Sequence, residues 1–190
     1  GYTAGAAITT GIKNVAVGAL ALDAATTGQE NTAIGHQALT ADTKGQRNVA
    51  IGHGSLVTQN FTSATNSYNT AVGYNSGNAV TTGTNLTAVG GLALDANTTG
   101  ANNTGIGKSA LGANTTGAAN TAVGAETLDA NTTGGENTAV GFKSLGENTT
   151  GSANTVLGYA ALDANTTASN NTAIGRAALG LNTTGANNVA

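Results

Sequence analysis

Apolar and polar positions recur along this chain with a step of 17 residues, from Asn14, Asn31 and Asn48 to Asn103, Asn120, Asn137, Asn154, Asn171 and Asn188. One clean unit runs Asn120-Thr121-Ala122-Val123-Gly124, then Ala125 to Ala130, then Asn131-Thr132-Thr133-Gly134 and two variable residues before Asn137. Numbered from its leading Asn, the unit has an aliphatic residue at position 4 in every copy: Val17, Ile34, Ile51, Val72, Val89, Ile106, Val123, Val140, Leu157 and Ile174. Position 9 is Leu22, Leu39, Leu56, Leu94, Leu111, Leu128, Leu145, Leu162 and Leu179, with Gly77 the exception. These two columns are the expected core. Position 5 is glycine throughout and position 15 nearly so, with Ala168 the departure, which marks two corners per unit.

A period this short leaves no room for a pair of helices, and no segment between glycines carries a helical stripe. The pattern predicts an all-β parallel β-solenoid, one coil per unit, with short strands at positions 1 to 4 and 6 to 10. Asparagines at positions 1 and 12 are placed to form amide ladders between coils. Strand alternation is expected to turn positions 2 and 4 inward and position 3 outward. Position 3 is nevertheless Ala16, Ala33, Ala50, Ala71, Ala88, Ala122, Ala139 and Ala173, broken only by Gly105 and Val156. A solvated column would have drifted to charged residues, so these alanines are the candidate packing column between chains.

The period is broken once, between Asn48 and Asn69, where the step is 21 and residues 57–68 are read as a loop insertion in a single elongated repeat domain spanning 1–190. Leu86 then stands where the leading Asn is expected. The ends fall within repeats, which suggests a mature product or a piece of a longer fibre.

Composition narrows function. Charged residues are 8% and aromatic residues 3% of 190, with a net charge of −3 and no basic run, which argues against nucleic acid as a partner. No run of apolar residues is long enough for a membrane span. Cys and Pro are absent, so a disulfide framework and thiolate metal sites are excluded, and every backbone donor is free to join a ladder. Disorder is the alternative for so Gly-, Asn- and Thr-rich a chain, but its apolar residues recur at fixed positions.

The runs Asn14-Val15-Ala16-Val17-Gly18 and Asn48-Val49-Ala50-Ile51-Gly52 resemble the coil signature of YadA-like head domains of trimeric autotransporter adhesins. The full unit is similar to the repeat region of bacterial and phage tail-fibre proteins that end in an intramolecular chaperone. This resemblance covers the whole chain and implies a left-handed β-roll, three chains side by side, and an extracellular, cell-surface or virion fibre. Its partners would be itself, as homotrimer or end-to-end filament, and a host-surface protein or glycan. The period is about three residues longer than in the adhesin heads, and the extra residues fall in the Asn-Thr-Thr-Gly corner.

Candidate chemistry is sparse. Position 6 carries His36, His53, Tyr74, Phe142 and Tyr159, a candidate contact column for a receptor or glycan. His36 and His53 would stack one coil apart and are the right residues to share a metal ion, but the column drifts on through Gly91, Lys108 and Ala125, which favours a solvated surface. No metal site, cofactor or catalytic residue is therefore expected, and the chain reads as a non-enzyme. Asp23, Asp95, Asp129 and Asp163 share position 10 without a second acid column for general acid and base work. The triplets at Asn97, Asn114, Asn131, Asn148, Asn165 and Asn182 match the glycosylation sequon, although the architecture already accounts for them.

Three function classes follow. A structural and adhesive fibre leads. An ice-binding or other surface-binding monomeric solenoid is the alternative, weakened because Thr132 and Thr133 would face opposite ways. A polysaccharide-cleaving fibre enzyme would need an acidic cleft.

Overall fold

The computed structural model describes all of residues 1–190 and is a parallel β-solenoid without helices. Each coil contributes one strand of three residues at positions 2 to 4: β1 (Val15–Val17), β2 (Thr32–Ile34), β4 (Val49–Ile51), β6 (Thr70–Val72), β7 (Thr87–Val89), β8 (Thr104–Ile106), β9 (Thr121–Val123), β10 (Thr138–Val140), β11 (Thr155–Leu157) and β12 (Thr172–Ile174). They pair in parallel and in register, so that Ala122 faces Ala139 and Val123 faces Val140, and together they form a single ten-stranded sheet. The register is that of the repeat. The 21-residue step is absorbed too, since Val49 pairs with Thr70 as regularly as Thr32 pairs with Val49.

The second expected strand, over positions 6 to 10, is replaced by a run of tight turns. Its backbone alternates into the left-handed region, at position 7 (Leu92 φ 61°, Glu126 φ 56°) and again at position 9 (Leu94 φ 53°, Leu128 φ 52°). A left-handed residue every second step curls the chain around the coil where a strand would run past it. The turns still bond from coil to coil: Leu128 N–H donates to the Ser144 carbonyl at 3.1 Å and Ala130 N–H to that of Gly146 at 3.0 Å. Of 122 backbone hydrogen bonds only 19 lie within strands, so the corners carry most of the ladder.

The two faces of the sheet are the reverse of the expectation. The alanines at position 3 point inward, with Ala33, Ala50, Ala71, Ala122, Ala139 and Ala173 all at 0% exposure and Ala88 at 1%. The aliphatics at position 4 point outward, and Val17, Ile34, Ile106, Leu157 and Ile174 are 37–58% exposed, with the rest of that column half-buried. The position 9 leucines do fill the core, from Leu22 to Leu162. Volume is the physical reason. A Cβ on Gly105, at position 3, would stand 3.3 Å from Leu94 Cγ and 2.9 Å from the Ala110 carbonyl oxygen, so one leucine per coil leaves space for little more than a methyl group opposite. Alternation was right, but the small column is the inner one.

Asparagine completes the interior. At position 12, Asn114 Nδ2 donates to Asn97 Oδ1 at 2.7 Å and to the Gly117 carbonyl at 3.0 Å, and the pattern repeats at Asn131, Asn148 and Asn165. At position 1, Asn120 Oδ1 accepts both the backbone N–H and the side-chain Nδ2 of Asn137, at 3.0 and 3.1 Å, while Asn120 Nδ2 reaches the Gly134 carbonyl at 2.9 Å. These residues are buried, so every satisfied amide removes a desolvation penalty of about 1–3 kcal/mol.

Glycine at position 5 answers a double demand. Gly124 has φ 136°, and a Cβ there would stand 2.6 Å from the Gly141 carbonyl oxygen of the next coil. The insertion is folded against the coils, not splayed from them: β3 (Gly45–Gln46) pairs with β5 (Thr65–Asn66), and Phe61 is buried.

Candidate interaction surfaces

The fold sets out columns of side chains, one rung per coil, and the broadest outward surface is the ten-stranded sheet itself. Position 2 supplies Thr32, Thr70, Thr87, Thr104, Thr121, Thr138, Thr155 and Thr172, with Val15 and Val49 in the other two strands. Position 4 supplies the exposed aliphatics beside them. The result is a flat stripe of hydroxyl and methyl groups with no charged residue in either column. Contiguous apolar surface of this kind marks an interaction site more often than solvent-facing sheet.

Beyond the glycine corner lies the position 6 column. His36 and His53 stack with centroids 5.1 Å apart, and Tyr74 continues the stack 5.4 Å from His53. Farther along, Phe142 and Tyr159 stack at 5.6 Å, and the Arg176 guanidinium lies 5.5 Å from the Tyr159 centroid. The structure thus gathers the five predicted contact residues into two stacks, separated by Gly91, Lys108 and Ala125. Stacking covers much of the ring faces and leaves ring edges to solvent.

Position 10 alternates acid and glycine along the second half of the array: Asp95, Gly112, Asp129, Gly146, Asp163, Gly180. The glycines make room, because a Cβ on Gly112 would lie 2.6 Å from Asp129 Oδ1 and one on Gly146 equally close to Asp163 Oδ1. A shallow notch of about 240 Å³ opens there, lined by Glu126, Asp129, Lys143, Gly146, Glu147 and Asp163. Partial burial raises the Asp129 carboxyl above its ordinary value, with Glu126 and Glu147 adding to the rise and Lys108 and Lys143 opposing it. Burial also raises Asp95, with a contribution from Asp129.

Position 17 holds a short charge ladder at the first coils. Glu30 receives Arg47 Nε at 2.8 Å and Lys13 Nζ at 3.4 Å, and Arg47 also donates to the Tyr68 hydroxyl at 2.8 Å. Hydrogen bonds from Arg47 and then Lys13 lower the Glu30 carboxyl below its ordinary value. All of these groups face solvent, so the ladder adds little stability.

The Asn-Thr-Thr sequons are largely closed. Asn97, Asn114, Asn131, Asn148 and Asn165 are buried with their amides committed to the ladder, and only Asn182, in the last coil, is half-buried. Sequence reasoning missed one further cluster. Asp42 and Gln59 take position 12 where later coils have Asn; the Asp42 carboxylate accepts from Gln59 Nε2 at 2.6 Å, Gly45 N–H at 2.9 Å and Phe61 N–H at 3.2 Å. Gln59 Oε1 in turn accepts from Asn69 Nδ2 at 2.7 Å. The signal was the absence of Asn from position 12 in the early coils, which carry Ala25, Asp42, Gln59 and Val80 there.

Comparison with family models, with curated proteins and with solved structures gives no match to this chain.

Proposed function

We propose that this chain is a structural and adhesive fibre segment in which three copies lie side by side, as the resemblance to YadA-like heads and tail-fibre repeats implies. The observation that carries the reading is the outward sheet face, an uncharged column of Val, Ile and Leu running the length of the array beside a column of Thr. Association through that face would bury the aliphatics at a gain of roughly 25 cal/mol per Å² of apolar surface. It moves the chain-to-chain contact from the position 3 alanines, which are interior, to positions 2 and 4. The acidic and aromatic columns would remain on the outside of such an assembly as shallow contacts repeated along each chain, a multivalent arrangement suited to a host-surface protein or glycan. An extracellular, cell-surface or virion setting belongs to the same reading.

The test is the solution mass by light scattering over a range of concentrations. A stable threefold mass supports the fibre. A monomer at every concentration rejects it.

Ice binding is the second reading, and one observation favours it. Thr87 and Val89, Thr104 and Ile106, Thr121 and Val123, and Thr138 and Val140 all present a hydroxyl and an aliphatic group on the same face. In-register rungs about 4.8 Å apart make this a regular two-column array, on the sheet and not at the Asn-Thr-Thr corner. Thermal hysteresis from a monomeric protein would select this reading over the fibre.

A further inference from the structure

We propose that His36 and His53 form a two-imidazole site for a divalent transition-metal ion, with Cu²⁺ the favoured occupant. The two residues hold the same position in consecutive coils, and the paired strands preceding them, β2 and β4, fix their spacing through the register Ile34 to Ile51. Gly52 N–H donating to the Ile34 carbonyl at 2.8 Å and Gly54 N–H donating to the His36 carbonyl at 3.0 Å lock the backbone on both sides of the pair. The rings are 5.1 Å apart and already inclined by 27°. Both are exposed, and neither is engaged in a side-chain hydrogen bond or ion pair, so their nitrogens are free for a ligand.

The surroundings favour closure from one side. Tyr74 stacks on the far face of His53 at 5.4 Å and buttresses it. On the other side, the same column holds only Ala19, so His36 has space to tilt. Nitrogens bound cis to one ion at about 2.0 Å each stand about 3 Å apart, and tilting two exposed rings toward each other reaches that spacing from the observed stack.

Ligand chemistry selects the ion. No third histidine, cysteine or carboxylate joins the pair, so water would complete the coordination. Hard cations such as Mg²⁺ and Ca²⁺ want oxygen ligands, while imidazole suits Cu²⁺, Ni²⁺ and Zn²⁺, among which the order of intrinsic affinity puts Cu²⁺ first. An ion held here would cross-link the second and third coils, the third of which carries the inserted segment, the one interruption in the array. The site does not depend on the fibre reading, because both ligands come from one chain.

The experiment is titration of the intact protein with Cu²⁺, followed by calorimetry and by electron paramagnetic resonance. One ion per chain with a two-nitrogen signature is expected, with affinity falling about tenfold or more in His36→Ala and in His53→Ala. Thermal melting should shift upward with Cu²⁺ in the unmodified protein and in neither variant. Both side chains are exposed, and circular dichroism verifies that the variants keep the fold. Unchanged Cu²⁺ affinity in either variant, or two ions bound independently with one nitrogen each, would overturn the proposal.

Discussion

Asn131 donates its side-chain amide to Asn114 Oδ1 at 2.8 Å, one coil earlier, and both residues are fully buried. Asn148 makes the same bond to Asn131, so Asn131 gives to one neighbour and receives from the other. Replacing a single member therefore strands two partners. Asn131→Leu should destabilise the array by about 2–4 kcal/mol, since it leaves Asn114 Oδ1 and one Asn148 proton buried without a partner. Thr133→Val, on the exposed side of the same corner, should stay within about 0.5 kcal/mol. Urea unfolding of the two variants checks the contrast.

The inner and outer faces of the sheet should respond in opposite ways. Ala122→Leu forces a large side chain into a column with space for a methyl group and should cost about 1–3 kcal/mol or more by thermal melting. Val123→Lys, one residue along and half-exposed, should leave the coil folded. If the outward face joins chains, that lysine lowers the mass seen by light scattering. If Ala122→Leu is silent and Val123→Lys unfolds the protein, the assignment of faces is wrong.

Left-handed residues offer a gain in stability. Ala160 sits at φ 48° at position 7, where a side chain costs about 1–2 kcal/mol and glycine avoids that cost. Glycine loses about 0.5–1 kcal/mol through its greater freedom in the unfolded chain. Ala160→Gly should thus be neutral or stabilising by up to about 1.5 kcal/mol, whereas Gly124→Ala, aimed at the Gly141 carbonyl, should be clearly destabilising. Melting temperatures decide between these signs.

How legible this was in the sequence follows from what each residue type constrains. The 17-residue register was readable because Asn120 and Asn137 pair with each other and must recur together. Position 9 was readable as core because only leucine recurs there. The turn at positions 6 to 10 was not, because Leu92, Leu94 and Leu128 have no preference for the left-handed conformation that they adopt; neighbouring coils impose it through the backbone ladder. Gly77 was the visible clue, a glycine at φ 59° in the leucine column. The faces were misread because Val123 is larger than Ala122 and size was taken as a mark of burial, whereas Leu128 already fills the narrow interior. The candidate contact column was legible by position, and so was the stacking of His36 on His53, whose 5.1 Å separation is the coil spacing that the 17-residue step implies.

Acid should act on the array in two opposite senses. Asp95 and Asp129 have raised carboxyl values, so their contribution favours the folded state below the unfolded value of about 3.9 and is lost as pH rises through the folded one. Glu30 is lowered, so its contribution is present above its unfolded value and is lost as pH falls through the folded one. Asp129→Asn should accordingly stabilise the protein at pH 7, with the advantage disappearing in acid. Melting profiles of both proteins between pH 3 and 7 give the sign directly; a variant less stable at pH 7 refutes the reading.

Because almost all cohesion runs between residues one coil apart, a pull along the axis would load each coil only through its neighbour. The terminal coil then peels first, and each release frees 17 residues, about 55–60 Å of extended chain. Such a molecule yields to tension as a series of small sacrificial steps, lengthening under a shear that would snap a domain whose bonds all fail together.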